Sequence, residues 1–453
     1  MREVLLQKSL ADPSRAAVVA EGGSVSWAEL VELTETHRRQ LGRLGRARVG
    51  VRLAGSAGCY AALAALDALQ AAVVLLRADL GWGECRQLAL ELGLCAIVSA
   101  AGSGGREPRV DEIQPCGSVG HPGSVILLTS GTTGKPKAAR HTWASLARPV
   151  RCADPGEGRT WLLTYRPNLY AGLQVALQCL TNQGTLVVPR AGASPPEIAR
   201  LMAEHVVEFA SATPSYWRRL LLFADADVLR RVPLRQVTLG GELVDQQVLD
   251  GLSTLFPAAR IVHVYATTEL GRCFSVSDRR SGFPAAFLDT VSPEGVELRV
   301  RDGELQVRSA NAMEGYDDCA GTGAPARARA RNDLAPTGDL VEVRGDRVFF
   351  VGRRSDLINV GGNKVHPAEV ERVLRAVPGV GDVRVYAKAS SIAGELVACD
   401  VVPEPGVDPE HLKRELVRRC SNGLLTFQRP RLIQVVEEIA VSAAGKILRR
   451  APP

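Results

Sequence analysis

Residues 125–142 read VILLTSGTTGKPKAARHT. Four apolar residues typical of a buried strand lead into a run of Ser, Thr and Gly, which ends in two lysines around a proline. Backbone N–H groups, hydroxyls and ammonium groups all donate to anionic oxygen, so this composition favours a loop that binds phosphates. A polar turn between two structural elements is the alternative, and this stretch alone does not decide between them.

The stretch differs from the Walker loop, a well-known phosphate-binding motif. That motif requires a glycine, four further residues, and then Gly-Lys followed by Ser or Thr. Here Thr129 occupies the first glycine position and Pro136 follows Lys135. The phosphate-loop hypothesis therefore depends on motifs elsewhere in the chain.

The composition is that of a soluble globular protein with at least two domains. The chain has 453 residues, of which 46% are hydrophobic and 23% charged. The net charge of +6 is mild and scattered, and aromatic residues make up only 5%, which argues against a nucleic-acid partner. The N-terminus lacks an apolar signal segment, and the longest apolar run, at 60–76, is short for a membrane span and contains Asp67. We therefore expect a cytoplasmic protein without a membrane partner.

The cysteines predict no metal site. There are ten, spread from Cys59 to Cys420, and none lies in a CxxC pair. With no secretory segment in view, this pattern favours reduced thiols.

Alternating helical and strand-like patterns predict an α/β fold for most of the chain. Two runs rich in β-branched residues, 235–242 and 260–269, each lead into a polar or glycine-containing turn. Ligands bind beyond the carboxyl ends of parallel strands in open sheets. The loops at 129–137, 240–242 and 265–269 are therefore expected at one edge of a sheet.

From about residue 287 the pattern changes to alternating β, with hairpin turns predicted at Asp302-Gly303 and Gly345-Asp346. A compact series of helix, strand, strand and helix then follows. We predict a large N-terminal domain, residues 1–352, built from parallel and mixed sheets with helices and a β-rich subdomain. Residues 353–453 are predicted to form a small, mobile α+β domain.

Six more motifs follow the Ser/Thr/Gly loop in a fixed order. They are LGGE (239–242), YATTE (265–269), GELQVRSANAMEGY (303–316), TGD (337–339), GRRSDLINVGGNKVHPAEVE (352–371) and GKILRR (445–450). In this order and at these separations, the sequence resembles the adenylate-forming superfamily of acyl- and aryl-CoA ligases, peptide-synthetase adenylation domains and firefly-type luciferases. The resemblance covers nearly the whole chain from about residue 25.

The resemblance implies a reaction in two steps. A carboxylate joins the α-phosphate of ATP and expels pyrophosphate, and a nucleophile then attacks the acyl-adenylate. Because two anions must approach each other, catalysis rests on charge neutralisation and alignment. The implied cofactors are ATP, Mg²⁺ and CoA, or the phosphopantetheine of a carrier protein in place of CoA.

The resemblance also implies roles for individual residues. Thr268 would donate to the α-phosphate, and Glu269 would bind Mg²⁺ as a hard carboxylate ligand. Lys446 would be the mobile lysine that reaches between the substrate carboxylate and the α-phosphate. Implied phosphate contacts are Thr129, Ser130, Gly131, Thr132, Thr133, Gly134 and Lys137; implied adenine contacts are Gly240, Gly241, Glu242 and Tyr265; implied ribose contacts are Asp339 and Arg353.

In this family the small domain rotates between the two half-reactions. The hinge falls at 353–355, where Ser355 stands in place of the usual Asp or Lys pivot. In the thioester-forming state, Gly361 and Gly362 would leave space beside the pantetheine arm. Lys364 would approach a nucleotide phosphate in that state.

The acyl pocket departs from the family pattern. Leu169 stands where many acyl- and aryl-CoA ligases carry a histidine, and Ala266 replaces a common glycine. No aspartate is placed to hold an α-ammonium group, so an ordinary α-amino acid is not expected. Pocket candidates are mostly small or apolar: Tyr170, Gly172, Leu173, Ser211, Thr213, Gly240, Ala266 and Thr267. We expect a small-molecule aromatic or apolar carboxylic acid, or alternatively one whose polar substituent or second carboxylate pairs with Tyr165, Arg166 and Asn168.

The acceptor of the acyl group remains open at this stage. CoA is the first hypothesis, and it makes the protein an AMP-forming acid–thiol ligase. A carrier protein's pantetheine arm is the second, and a nitrogen nucleophile giving an amide-type product is the third. A non-catalytic binder is the fourth, and the presence of Glu269, Asp339 and Lys446 disfavours it.

Overall fold

The computed structural model of the protein describes residues 10–101, 105–115, 121–129, 137–152, 159–317, 331, 333–390, 394–439 and 447. Within these residues the chain forms four β-sheets with helices packed against them. Strands and helices are numbered in chain order.

The first sheet has eight strands and a parallel centre. Its strands are β1 (Ala16–Ala20), β2 (Gly23–Ser26), β9 (Thr160–Leu163), β10 (Thr185–Val187), β11 (Phe209–Ala212), β12 (Gln236–Gly240), β13 (Arg260–Thr267) and β14 (Gly271–Val276). The order is β14, β13, β12, β11, β9, β10, β1, β2, and the edge strands β2 and β14 pair antiparallel while the other pairs are parallel. Gly240 lies opposite Val264 in the register, so the segments after β12 and β13 leave the sheet side by side.

The second sheet has seven strands and contains the strand that precedes the Ser/Thr/Gly loop. Its strands are β3 (Arg48–Leu53), β4 (Ala72–Arg77), β5 (Ala96–Ala101), β6 (Glu107–Glu112), β7 (Ser124–Thr129), β8 (Lys137–Thr142) and β18 (Gly315–Tyr316). Because β7 pairs with β4 and β8, its loop does not share a sheet edge with 240–242 and 265–269. The expectation of one common sheet edge is therefore wrong. The segments meet through side chains from two sheets instead.

The third sheet is antiparallel, and a fourth follows near the C-terminus. The third consists of β15 (Phe283–Pro284), β16 (Val296–Arg301), β17 (Glu304–Ser309), β19 (Ala335–Arg344) and β20 (Arg347–Arg353). The fourth consists of β21 (Ile358–Val360), β22 (Asn363–Val365), β23 (Val380–Ser390), β24 (Gly394–Pro403) and β25 (Leu432–Val435). The turn between β16 and β17 has positive φ at Asp302 (51°) and Gly303 (72°), which confirms the predicted hairpin.

Eleven helices fall within the described residues. They are α1 (Trp27–Gln40), α2 (Ala57–Ala68), α3 (Trp82–Glu91), α4 (Trp143–Ala147), α5 (Tyr170–Thr181), α6 (Pro195–Glu204), α7 (Pro214–Phe223), α8 (Ala226–Arg230), α9 (Gln246–Leu255), α10 (Pro367–Arg375) and α11 (Pro409–Gly423). α1 begins at Ser26, whose hydroxyl accepts from Glu29 N–H while the Glu29 carboxylate accepts from Ser26 N–H. α2 is alanine-rich and buried from Ala57 to Asp67, and it contains the first part of the apolar run at 60–76.

The predicted fold class is confirmed: mixed α/β sheets, a β-rich subdomain and a separate α+β unit. One hydrophobic cluster joins strands of the first two sheets through α2 and α5. A separate cluster holds α10 and α11 against β23 and β24. The exact boundary at 352/353 stays a prediction.

The expectations about membrane spans and about the state of the cysteines concern the chain as a whole. In the described part of the chain, no helix is both long and apolar enough to cross a membrane. Among the described residues, seven cysteines are free thiols and Cys95 is disulfide-bonded. The expectation of uniformly reduced thiols is therefore wrong at Cys95, which lies where β5 begins and accepts hydrogen bonds from the backbone of Ile113 and Gln114.

Three buried histidines each use Nε2 in a hydrogen bond to a backbone carbonyl. The pairs are His37 with Arg106 O at 2.8 Å, His141 with Thr268 O at 2.8 Å and His263 with Arg280 O at 3.1 Å. A carbonyl can only accept, so each ring carries a proton on Nε2. Burial lowers the pKa of all three rings below the ordinary histidine value, which keeps them neutral near neutral pH.

We predict that the protein loses stability as the pH falls below about 6.5, the ordinary pKa of histidine. The unfolded chain then binds protons that the folded chain does not, so the free energy of unfolding decreases until the folded-state pKa values are reached. Melting temperatures measured at neutral and mildly acidic pH test this, and His263→Gln should reduce the difference between them. His411→Gln, at an exposed position, is the control; an equal effect of both substitutions contradicts the prediction.

Candidate active site

The segment that follows β13 is joined to the second sheet by a buried histidine. His141 lies on β8, and its Nε2 donates to Thr268 O at 2.8 Å. Its ring centre is 5.9 Å from that of Tyr170, the first residue of α5. This bond fixes the YATTE segment relative to β7 and β8, so the two sheets that bear the motifs meet at Thr268.

Glu269, Tyr316 and Lys137 form a row of interacting side chains. The Tyr316 hydroxyl donates to Glu269 Oε1 at 3.1 Å, and Lys137 Nζ lies 5.5 Å from the centre of the Tyr316 ring. Burial, and then the Glu269 carboxylate, raises the pKa of Tyr316, so its hydroxyl stays protonated and can donate. Three motifs that are far apart in the sequence thereby place a cation, an aromatic ring and a carboxylate side by side.

Asp339 is held by two donors. Asp339 pairs with Arg353 across β19 and β20, and Arg353 Nε donates to its Oδ1 at 2.9 Å. The Tyr265 hydroxyl donates to Asp339 Oδ2 at 2.5 Å, and the Tyr265 ring stacks against Phe274 and Phe350. The structure thus brings together the residues expected at adenine and ribose.

Glu242 links three parts of the chain. Its Oε2 accepts from the backbone N–H of Ser215 at 3.0 Å and from the Ser215 hydroxyl at 2.7 Å, at the start of α7. Its Oε1 accepts from the backbone N–H of Ile447 at 2.8 Å. The residue next to Lys446 in sequence therefore contacts the loop after β12.

Several of the acyl-pocket candidates have local structural roles. Thr213 caps α7, where its hydroxyl accepts from Tyr216 N–H at 3.1 Å. The carbonyl of Gly240 accepts from the Tyr165 hydroxyl at 3.1 Å, and that of Ser211 accepts from the Thr164 hydroxyl. The Thr267 hydroxyl accepts from the N–H of Leu270 at 3.0 Å, and Leu173 is fully buried on α5. These contacts neither require nor exclude a bound acyl group.

Two of the three residues in the alternative acyl hypothesis have partners within the protein. Tyr165 donates to Gly240 O, as noted, and Arg166 forms an ion pair with Asp79 at 2.9 Å. Asn168 is buried just before α5. A polar substrate group would have to compete with those contacts.

The predicted hinge residue, Ser355, and the two predicted pantetheine glycines, Gly361 and Gly362, lie in turns. Ser355 lies in a short 3-10 turn, Arg354–Asp356, and its hydroxyl donates to Asp356 Oδ1 at 3.0 Å. Gly361 (φ 55°) and Gly362 (φ 88°) form the turn between β21 and β22, and nothing lies within 4 Å of a Cβ built on either. Lys364 is exposed on β22. Positive φ alone gives both positions a reason to be glycine.

Some predicted site residues lie outside the described residues. They are Ser130, Gly131, Thr132, Thr133, Gly134 and Lys446. Thr129 and Lys137, which flank the loop, pair across β7 and β8. The functional roles of all the site residues stay predictions.

Three residues that hold the site together, His141, Tyr316 and Ser215, are not recognisable as functional from the sequence. His141 is the last residue but one of the stretch at 125–142, and Tyr316 ends the motif at 303–316, but neither motif indicates a partner. Ser215 follows Thr213 after β11, where only a turn is visible in the sequence. Their partners are 127, 47 and 27 residues away along the chain.

Two matches to protein families together cover most of the chain. Residues 6–317 match the AMP-binding enzyme family, and residues 369–446 match the C-terminal domain of AMP-binding enzymes. The chain therefore belongs to the AMP-binding enzymes, the adenylate-forming superfamily that its motifs resemble.

Individual relatives of the chain are named as CoA ligases. The 2-succinylbenzoate–CoA ligase of Lactococcus lactis is 25% identical over 340 residues, which are 72% of this chain and 70% of that protein. The 4-chlorobenzoate–CoA ligase of a Pseudomonas species is 26% identical over 366 residues, which are 72% of this chain and 64% of that protein. The chain thus spans about two thirds of the length of these curated relatives. Both are acid–thiol ligases, and the expected enzyme class is confirmed.

The fold is shared with solved structures along nearly the full chain. The anthranilate CoA ligase AuaEII in complex with anthranoyl-AMP has a TM-score of 0.78 at 18% identity, and the match covers 98% of this chain and 95% of that one. At this identity the similarity establishes the fold alone.

Gly172 provides a test of whether packing or the acyl pocket requires a glycine. A Cβ at Gly172 would lie 2.2 Å from Arg166 O, because α5 packs against the backbone that precedes it. We expect Gly172→Ala to lower the free energy of unfolding by about 1–3 kcal/mol through overpacking. The measurement is denaturant unfolding of both proteins.

Gly83 offers a matched control inside another helix. A Cβ at Gly83 meets nothing within 4 Å, so Gly83→Ala should stabilise the protein by about 0.5–1 kcal/mol. If both substitutions stabilise the protein, the close backbone approach at α5 does not explain Gly172.

Proposed function

We propose that this protein activates a small carboxylic acid with ATP to form an acyl-adenylate and then transfers the acyl group to the thiol of CoA. The observation that supports this best is the hydrogen bond from Ile447 N–H to Glu242. Adenylation in this family needs the lysine of the GKILRR motif at the nucleotide. Ile447, the neighbour of Lys446 in sequence, is bound at the loop expected to form the adenine rim.

The row of Lys137, Tyr316 and Glu269 suits the phosphates and a magnesium ion. Mg²⁺ is usually held by one or two carboxylates together with substrate phosphates. Glu269 is a single carboxylate, so it fits a metal that arrives with the nucleotide, and when bound, Mg²⁺ would neutralise phosphate charge. Lys137 would add a second cation near the same phosphates.

Asp339 fits the ribose. Each of its carboxylate oxygens accepts one hydrogen bond, from Arg353 or Tyr265, and an ionised carboxylate can accept about four. Both oxygens therefore keep capacity for the two ribose hydroxyls. The two donors also fix the carboxylate in place before the nucleotide binds.

Tyr170 gives the clearest indication of the acid. Tyr170 is 7% exposed, and its hydroxyl makes no well-formed hydrogen bond among the described residues, although the backbone of Arg272 lies close enough to interact with it. Burial raises the pKa of Tyr170, so the hydroxyl remains a neutral donor. A buried hydroxyl without a well-formed hydrogen bond is less stable than a paired one, and a polar group of the substrate would supply a better partner. With Ala266 and Leu173 as apolar candidates, we infer an aromatic acid with a hydrogen-bonding substituent.

We predict that Tyr170→Phe alters the choice of acid rather than the reaction. For a hydroxy- or amino-substituted benzoate, kcat/KM should fall by about tenfold, the value of one hydrogen bond. For unsubstituted benzoate it should be unchanged or higher. Pyrophosphate exchange with both acids measures the ratio, and an equal loss for both would remove Tyr170 from the substrate hypothesis.

The reaction itself is tested by ATP–pyrophosphate exchange with a panel of aromatic and apolar acids. Acids that support exchange are then offered together with CoA, a carrier protein or an amine, and the product is identified by mass spectrometry. Thioester formation with CoA is the expected result. Exchange with no acid would favour a non-catalytic binder, and a product only with an amine would favour the amide-forming alternative.

Lys446→Ala should separate the two half-reactions. Adenylate formation is expected to fall by about 100-fold or more, because a cation aimed at the developing charge is removed. Thioester formation from supplied acyl-adenylate should be retained. Lys413→Ala, at an exposed position on α11, is the control. Equal loss of both half-reactions on removing Lys446 would contradict a role confined to adenylation.

A further inference from the structure

Five charged side chains lie between the first sheet's helices and the C-terminal α+β unit. This interface charge cluster consists of Arg218 and Asp245 on one side and Glu371, Arg375 and Asp382 on the other. The side chains of all five are 21% exposed or less. Buried charges are costly unless paired, so their arrangement needs a physical explanation.

Asp245 is the member of the cluster that bridges the interface. It precedes α9 and caps it, since its Oδ1 accepts from Val248 N–H at 3.0 Å. Its Oδ2 accepts from Arg218 of α7 and also lies 3.5 Å from Arg375 Nη1. Although burial opposes ionisation of Asp245, Arg218 and Arg375 hold its pKa below the ordinary value. Asp245 is therefore a carboxylate shared by one arginine from each side.

Arg375 has further partners within the C-terminal unit. It ends α10, and its Nη2 lies 3.5 Å from Glu371 Oε2 and donates to Val383 O at 3.1 Å. Its Nε lies 3.8 Å from Asp382 Oδ1 and makes no hydrogen bond among the described residues. Charge-assisted hydrogen bonds are usually about 2.7–2.9 Å. Arg375 thus interacts with three carboxylates, and each distance is longer than that of a charge-assisted hydrogen bond.

This arrangement leaves no charge isolated when the two sides separate. Asp245 keeps Arg218, and Arg375 keeps Glu371 and Asp382. Removing one partner of a buried pair is strongly destabilising, because it costs free energy to leave the other charge uncompensated. Here that cost does not arise on separation, so the contact between Asp245 and Arg375 can form and break repeatedly.

The cluster is also close in sequence to the site of adenylation. Asp245 lies three residues after Glu242, which binds Ile447 N–H, and both belong to the segment between β12 and α9. Two weaker contacts lie at the same interface. Arg219 is 3.5 Å from Glu438, and the Leu222 side chain lies 3.0 Å from a Cβ built on Gly381.

Resting on the proposed function, we propose that Asp245 and Arg375 are positioning residues for the first half-reaction. Their contact selects the orientation of the C-terminal unit in which the tail meets the nucleotide, and the contact is released for thioester formation. Neither residue touches the reacting atoms. Each charge keeps a partner on its own side, so separating Asp245 from Arg375 costs little free energy.

The test compares half-reactions in the full-length enzyme. Asp245→Asn removes the charge but keeps a good helix cap, since Asn is as favourable as Asp at that position. Arg375→Met removes the other charge and keeps an unbranched side chain of similar length. We expect each variant to lower pyrophosphate exchange by about tenfold, which corresponds to 1.4 kcal/mol. Thioester formation from supplied acyl-adenylate should be unchanged or faster.

A control variant, a double variant and the comparison of the two half-reactions distinguish the proposed role from a general loss of activity. Asp227→Asn, the same substitution in an exposed pair with Arg230, should change neither half-reaction. If the two residues act through one contact, the double variant should lose no more exchange activity than the worse single variant. Equal loss in both half-reactions, or losses that multiply in the double variant, would overturn the proposal. A wild-type enzyme that catalyses no exchange would instead overturn the proposed function.

Discussion

One carboxylate, that of Glu242, joins the parts of this protein that must act together. It accepts from both the backbone and the hydroxyl of Ser215, and from the backbone of Ile447. An ionised carboxylate is only an acceptor, so it can gather donors from several segments without conflict. The loop after β12, the start of α7 and the end of the chain are thereby tied to one point. The proposed chemistry needs the same three segments around a nucleotide.

A second constraint comes from the division of the motifs between two sheets. The Ser/Thr/Gly loop follows β7 in the seven-stranded sheet, whereas Thr268 and Glu269 follow β13 in the eight-stranded sheet. Small relative shifts of the two sheets would separate the proposed phosphate contacts from the proposed metal ligand, Glu269. The bond from His141 to Thr268 O and that from Tyr316 to Glu269 span this junction. The buried neutral histidine therefore contributes to the geometry of the site as well as to its pH response.

The sequence alone predicts the local elements and the order of the motifs well. Local patterns predict the hairpin at Asp302-Gly303 and the helix, strand, strand and helix series that follows, because these depend on neighbours within a few residues. They do not predict which sheet β7 joins, since strand pairing is decided by contacts far along the chain. For the same reason they reveal neither Tyr316 as the partner of Glu269 nor the ion pair of Arg166 with Asp79. Residue roles inferred from family motifs specify chemistry, but the supporting contacts come from the fold.

The ion pair between Asp339 and Arg353 differs in geometry from the interface charge cluster. Asp339 and Arg353 lie on neighbouring strands of one sheet, and Arg353 donates to the carboxylate at 2.9 Å. At the interface with the C-terminal unit, Arg375 lies 3.5–3.8 Å from three carboxylates. A purely apolar interface of the same extent would favour one orientation and expose its surface to water on separation. Charges that keep a partner on their own side lose little when they part, so an interface built from them can hold an orientation and still let it change.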